Sequence, residues 1–426
     1  MNELEFYSII DRTYPWFPPL DDRESIGIDL SNAAFDPDLG QETFEGVLGQ
    51  ALLAEKLGFD GVLMFEQHNQ PLALFGNPLM GAAWLAGETS GIRLGAVGPI
   101  LNAYLTPTRV AEEVAMVDLV SGGRLILGLP MGIGAQYHGM GVANPAHARA
   151  RYREALALLY RIWTEDGPFE WLGEFFHIPY VNVWPRPRQQ PFPEVFIPAA
   201  GSFETLDLAA KHHFTYQALM TPGPKLIRNC ELFRELCEKH GYKSERRQIA
   251  AVLSVHTAET DEQARAEAEK YILWMYQNVN RFPFHESFVP GHVSVQSLRA
   301  MMDGGYRSRD VSTYTIEELD ADGAIVIGSP ETVRQRIDEI TTNMGAGRVI
   351  LGGLNFSAPA WLLQKSLTLF AERVIPHFRP PGALAIWQRN PPAGYKTATE
   401  RAGREPRRGG IPVVDLPGRG RVELYE

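Results

Sequence analysis

Apolar positions along this chain follow two alternating rhythms. Short runs in which nearly every residue is apolar, such as Gly61-Val62-Leu63-Met64-Phe65, are separated by longer stretches with apolar residues at helical spacing. A run apolar on both faces is what a parallel strand covered by helices requires. Strands are expected at 3–10, 60–65, 93–100, 124–129, 195–197, 214–219, 248–256 and 348–351. Helices are expected at 41–57, 78–88, 108–120, 151–163, 203–211, 224–240 and 360–374, the first ended by Gly58. Eight strands alternating with helices predict an α/β fold, a parallel sheet closed into a TIM (β/α)8 barrel. The rival is an open doubly wound sheet, but no glycine-rich dinucleotide fingerprint follows any of these strands.

Two excursions interrupt the pattern, 131–150 after the fourth strand and a longer one at 259–327 after the seventh. Loops on the carboxyl side of barrel strands build the active site, and long ones act as lids or substrate walls. The segment 379–426 is rich in Pro, Gly and Arg and reads as a tail, an extended arm or a disordered one, without a core of its own. The expected organisation is a barrel over 1–378 and a tail over 379–426.

Composition narrows the function classes. With 426 residues, 45% hydrophobic and 21% charged, the chain needs no staples to hold a core. A net charge of −11 argues against nucleic-acid binding, which depends on clustered Lys and Arg. Cys230 and Cys237 are two helical turns apart, too far for a disulfide, and read as reduced thiols. The first residues carry no basic region before an apolar run, and no stretch is long and apolar enough to span a bilayer. The expectation is a cytoplasmic protein, with no metal-ligating set assigned.

In a barrel, chemistry belongs at the carboxyl ends of the strands. The second strand runs into Glu66-Gln67-His68-Asn69, where His68 either moves protons at the mouth or is a structural histidine tied to its neighbours. The third runs into Gly98-Pro99-Ile100-Leu101-Asn102. An X-Pro bond there either takes the cis form and presses backbone against a flat ligand, or is an ordinary loop proline. The fourth runs into Pro130-Met131-Gly132-Ile133-Gly134 and then Gln136-Tyr137-His138, which makes His138 the competing acid–base candidate. The fifth ends in Pro198-Ala199-Ala200-Gly201-Ser202-Phe203-Glu204-Thr205. That turn is either a phosphate seat at a helix start or a plain serine N-cap.

Four segments in order give the chain a resemblance. They are Phe65-Glu66-Gln67-His68; Thr106-Pro107-Thr108-Arg109 running to Ser121-Gly122-Gly123-Arg124; the turn at 200–205; and Ile327-Gly328-Ser329-Pro330-Glu331-Thr332 ahead of Arg348-Val349-Ile350-Leu351-Gly352-Gly353. Over 4–378 the chain resembles the bacterial luciferase-like family of flavin-dependent monooxygenases. The resemblance implies a TIM barrel with an insertion after strand seven, reduced FMN as cofactor, and dioxygen and a small apolar organic substrate such as a cyclic ketone or terpene. It implies also a flavin reductase as a transient supplier and a homodimer formed through the second and third helices. Carried over, Ser202 and Thr205 hold the FMN phosphate and Gly201 lets the backbone close on it. Gly98-Pro99 falls at the family's cis peptide beside the flavin ring, Asn102 reaches the ring edge, and Met131-Gly132 lies beside the phosphate. His68 matches the second histidine of a Glu-His-His triplet whose first is Gln67 here. Met131 stands where luciferase proper has a phosphate-binding arginine, a role left either to the backbone or to another cation such as Arg149 or Arg151. Tyr14-Pro15-Trp16-Phe17 and the segment 274–288 suit an apolar pocket or a core. A deazaflavin-dependent dehydrogenase and a non-catalytic flavin-binding relative are the competing readings.

Overall fold

The apolar run at 60–65 forms a strand because it can bury both faces, and the other seven predicted strands form for the same reason. A computed structural model describes residues 3–15, 30–132, 134–140, 144–219, 223–278, 289, 291, 294–295, 298–299 and 311–379, with 413–416 and 420–423. The elements, in chain order, are β1 (Glu5–Ile9), α1 (Pro37–Lys56), β2 (Gly61–Phe65), α2 (Pro78–Glu88), β3 (Arg93–Val97), α3 (Pro107–Val120) and β4 (Leu125–Gly128). Then come α4 (Gly134–Met140), α5 (Ala148–Thr164), β5 (Phe169–Leu172), β6 (His177–Val181), β7 (Glu194–Ala199), α6 (Phe203–Lys211), β8 (Thr215–Ala218), α7 (Gly223–Lys239) and β9 (Ile249–Thr257). They continue with α8 (Asp261–Asn278), α9 (Ile316–Ala321), β10 (Ile325–Gly328), α10 (Pro330–Met344), β11 (Arg348–Gly353) and α11 (Ala360–Arg373).

The ring runs β1-β2-β3-β4-β7-β8-β9-β11 and back to β1, all parallel. This is the expected TIM barrel. Alternate strand residues fill its interior: Tyr7, Ile9, Leu63, Val97, Ile126, Phe196, Ala250, Val252 and Ile350 form one buried cluster. Their neighbours, among them Phe6, Val62, Met64, Leu94, Ala96 and Leu127, pack outward against the helices. The first three helices begin with a side-chain cap followed by proline: Asp36-Pro37, Asn77-Pro78 and Thr106-Pro107. The cap at Asp36 starts α1 four residues ahead of the apolar periodicity.

Three features were not expected. β10 adds a ninth strand, pairing with the upper half of β9 from Ile325↔Ser254 to Gly328↔Thr257, while β8 pairs with the lower half. The end of the long insertion is therefore part of the sheet. The antiparallel hairpin β5–β6 leaves the barrel between α5 and β7. In the tail, Val413–Leu416 and Gly420–Glu423 pair as an antiparallel hairpin, β12–β13, where an arm or a disordered segment was expected. Valines on both strands supply its β propensity. The chain divides into two compact units, 1–395 and 396–426. Arg379, the first residue assigned to the tail by composition, is buried in the first unit, where its Nη1 lies 3.1 Å from Asp60 Oδ2.

The amino end of the barrel is closed by buried charge. Arg348 donates to Glu5 at 2.8 Å and to Glu194 at 2.7 Å, Arg93 also pairs with Glu194, and Arg247 reaches Glu5 at 2.7 Å. Burial pushes both carboxyls up, but the guanidinium groups, Arg348 first, hold each below the usual range. The candidate site residues lie at the other, carboxyl ends of the strands. Cys230 and Cys237 are buried and unpaired, their thiols pushed up by burial. Among the described residues no helix is long and apolar enough to cross a membrane.

Candidate active site

Just past the end of β2, the side chains of Glu66 and His68 come together. Glu66 Oε1 meets His68 Nε2 at 2.8 Å, and Glu66 Oε2 accepts the Ile100 N–H at 2.9 Å. The carboxylate is 1% exposed and the imidazole 14%. One buried acid thus ties the second strand end to the third and holds the histidine. In the tautomer that donates from Nε2 to Glu66, Nδ1, which has no hydrogen-bond partner among the described residues, is the acceptor. Gly98-Pro99 is cis. A Cβ at Gly98 would fall on Glu66 Oε2, so this glycine is needed for the carboxylate to pass. Sequence reasoning singled out His68 and missed Glu66; its signal was the two-residue spacing in a strand end.

The next wall is built on the Met131 carbonyl. It accepts from Tyr137 Oη at 2.7 Å and from Asn102 Nδ2 at 3.2 Å. Asn102 is fully buried, and its Oδ1 has no partner among the described residues. The Met131 side chain is partly buried and packs against the outer core. Gly132 has φ +89°, and a side chain there would meet Ile100 Cγ2 at 2.9 Å. α4 returns across the mouth, where Gln136 Nε2 donates to the Glu66 carbonyl at 3.2 Å. His138 belongs to α4, and its side chain lies outside the described residues. Trp16, Phe17 and 279–288, candidate pocket residues by composition, also lie outside them; Tyr14 is buried. Asp11, for which no role was expected, is a buried carboxyl just past β1 that accepts the Phe65 N–H at 3.0 Å and has its pKa raised well above the ordinary value by burial.

At the end of β7, Gly201 has φ +99° and faces the Asn229 amide, which a side chain would strike. Ser202 occupies the N-cap of α6 but makes no capping bond; its hydroxyl donates to Thr205 Oγ1 at 2.7 Å. A plain serine N-cap would instead accept a backbone N–H. The same Gly-Ser-x-Glu-Thr pattern recurs at 328–332, at the start of α10. There Ser329 and Thr332 hydroxyls lie 3.1 Å apart, and an anion is seated: Asp261 accepts the Ser329 N–H at 2.6 Å and the Thr332 hydroxyl at 3.1 Å. Those bonds, the Ser329 N–H first, hold the Asp261 carboxyl below its usual value. The twin shows what this turn accommodates.

Of the two arginines open for an anion, Arg151 is committed elsewhere. It donates to the Tyr104 carbonyl at 2.9 Å and lies over the Phe176 ring at 4.4 Å. Arg149, in the first turn of α5, lies in the field of Glu204 on the 201–205 turn and of Tyr137; burial lowers its pKa and Glu204 opposes that. Described residues of the long insertion reach this region. Val289 clusters with Tyr137 and Ala148, Gly291 abuts Ala146, and Ser294 Oγ donates to Glu204 Oε1 at 2.8 Å. The two excursions therefore meet beside the 201–205 turn. Among the described residues no group of three or more His, Cys, Asp or Glu is placed to hold a metal ion.

Comparisons with known proteins bear on the family and the fold. The family model for luciferase-like monooxygenases matches residues 27–347. The oxygenase component of the flavin-dependent trigonelline monooxygenase of Acinetobacter baylyi is 26% identical over 239 residues, 55% of this chain and 65% of that one. Limonene 1,2-monooxygenase of Rhodococcus erythropolis is 25% identical over 337 residues, 76% of this chain and 79% of that one. In fold, the oxygenating constituent of 3,6-diketocamphane monooxygenase from Pseudomonas putida, solved in complex with FMN, superposes with a TM-score of 0.67 at 20% identity, covering 89% of this chain and 100% of that one. With the family model spanning most of the barrel, the chain belongs to the luciferase-like monooxygenase family.

Proposed function

We propose that this chain is the oxygenase half of a two-component system. It takes reduced FMN from a separate reductase and uses dioxygen to place an oxygen atom on a small apolar organic molecule. The observation that carries the reading is the turn at 201–205. Its two hydroxyls face each other without capping the helix, and its sequence twin at 328–332 seats a carboxylate. One such seat suits one phosphate monoester, hence FMN rather than a dinucleotide.

The residues present fit this cofactor. Ser202, Thr205 and the start of α6 take the phosphate, with Arg149 as the nearby cation in place of Met131. The buried, unpartnered Asn102 Oδ1 is an acceptor for the N–H on the polar edge of the flavin ring. Gly98-Pro99 supplies backbone along the ring. Reduced FMN supplies the electrons that activate dioxygen. The chain excludes water with its two excursions, and His68, held by Glu66, holds or delivers a proton at Nδ1. Phe65, Leu219 and Phe356, half-buried at the top of the interior cluster, provide an apolar floor for substrate.

The chain works as a homodimer in this reading. Met80 on α2 and Met116 and Val120 on α3 are 72%, 55% and 62% exposed, an apolar face that a second copy covers.

Oxygen uptake on mixing with free reduced FMN and a panel of cyclic ketones and terpenes tests the reading. Uptake that rises with substrate supports it. Hydride transfer to or from a deazaflavin, without oxygen uptake from reduced FMN, contradicts it and favours the dehydrogenase.

A further inference from the structure

The two Gly-Ser-x-Glu-Thr turns differ in what their glutamate does. At the 328–332 turn Glu331 is 61% exposed and paired with Arg334 and Gln335 on its own helix, away from the seated Asp261. At the 201–205 turn Glu204 is half-buried, and its carboxylate is engaged by Ser294 from the insertion. It also faces Arg149 electrostatically. A carboxylate on the first turn of the helix, between Ser202 and Thr205 in sequence, is an electrostatic opponent of an anion held at that turn. It strengthens the helix start when no ligand is bound and repels a dianion when one is.

We propose that Glu204 is an affinity-limiting residue. Its carboxylate, fixed beside the phosphate seat and drawing on the same arginine, weakens flavin phosphate binding and keeps the cofactor exchangeable. The inference rests on the phosphate reading of the 201–205 turn. Its logic follows from diffusible flavin: an oxygenase supplied by a separate reductase loads reduced cofactor and releases the oxidised form each turnover, so an anchor of full strength would slow release. A single opposing charge on the same helix turn, in a half-buried setting, changes an equilibrium constant by about tenfold.

The test is the dissociation constant of oxidised FMN and of riboflavin, which lacks the phosphate, measured by flavin fluorescence on the full chain, on Glu204→Gln and on Ser202→Ala/Thr205→Val. Glutamine keeps an oxygen for Ser294 to donate to and removes only the charge. The expected result is that Glu204→Gln binds FMN about tenfold more tightly, that riboflavin affinity is unchanged, and that the gain shrinks as salt is raised. Unchanged or weaker FMN binding in Glu204→Gln overturns the inference when Ser202→Ala/Thr205→Val still weakens FMN. So does an equal gain for riboflavin. If the Ser202/Thr205 variant leaves FMN affinity intact, the phosphate reading fails and the inference falls with it.

Discussion

Glu66 and His68 are joined at 2.8 Å, and through the same carboxylate the second barrel strand end is fastened to Ile100 beyond the cis Gly98-Pro99 bond. The histidine is therefore positioned by a buried acid rather than merely exposed at the mouth. Acid–base help of this kind is worth about 10²–10⁴ in rate, so His68→Ala should cut product formation by roughly that factor while FMN binding stays intact. Oxygen should still be consumed and released as peroxide. Glu66→Gln should show a milder uncoupling, because an amide fixes the wrong ring tautomer. His138→Ala, assayed for the product-to-peroxide ratio in parallel, decides between the histidines: coupling lost there and kept in His68→Ala reassigns the role.

The cramped space at Gly98 gives a sharper stability contrast. Its Cβ would land on Glu66, whereas nothing lies within 4 Å of a Cβ at Gly49 on α1. Gly98→Ala should destabilise by about 1–3 kcal/mol and uncouple turnover as the acid is displaced. Gly49→Ala should stabilise by about 0.5–1 kcal/mol, the ordinary gain of alanine within a helix. Thermal melts of the pair check both signs; an unperturbed Gly98→Ala would contradict the tight Glu66 placement.

Two kinds of buried carboxyl give opposite pH dependences. Glu5 and Glu194 are held below their ordinary values once the guanidiniums have outweighed burial, so their stabilisation is present above about pH 4.5 and is lost as pH falls. Asp11 is raised well above 3.8 by burial, so it costs stability as pH rises from that value through its folded-state titration. Asp11→Asn should therefore raise the melting temperature more at about pH 8 than at about pH 4. Equal shifts at both would contradict a neutral Asp11 in the fold.

The apolar face of α2 and α3 makes the dimer testable without touching the core. Met116→Lys with Val120→Lys changes exposed residues only. Sedimentation should show a dimer for the natural chain and a monomer, equally well folded, for the variant. A monomeric natural chain at micromolar concentration removes the interface.

Much of the barrel was legible because strands covered on both faces carry nearly unbroken apolar runs, as at 61–65. What escaped notice lacks that signal. β5–β6 has alternate residues exposed, β10 is a four-residue strand at the end of an excursion, and the tail hairpin is set in a Pro- and Gly-rich segment. At the site, His68 and the 201–205 turn could be read because their residue types carry chemistry. Glu66, Asp11 and Glu204 could not be separated from surface acids, since only the fold buries or half-buries them. Nor could local sequence distinguish Arg149 from Arg151, two residues apart on one helix and committed to different neighbours.

The most direct test of the central claim follows the oxygen atom. The chain, with reduced FMN supplied free or by any flavin reductase, is given a cyclic terpene or ketone that stimulates oxygen uptake, under dioxygen carrying the heavy isotope. The expected product has gained one labelled oxygen atom, with the other appearing in water. Substrate oxidised without label, or label recovered only as peroxide for every substrate that stimulates uptake, would contradict a monooxygenase.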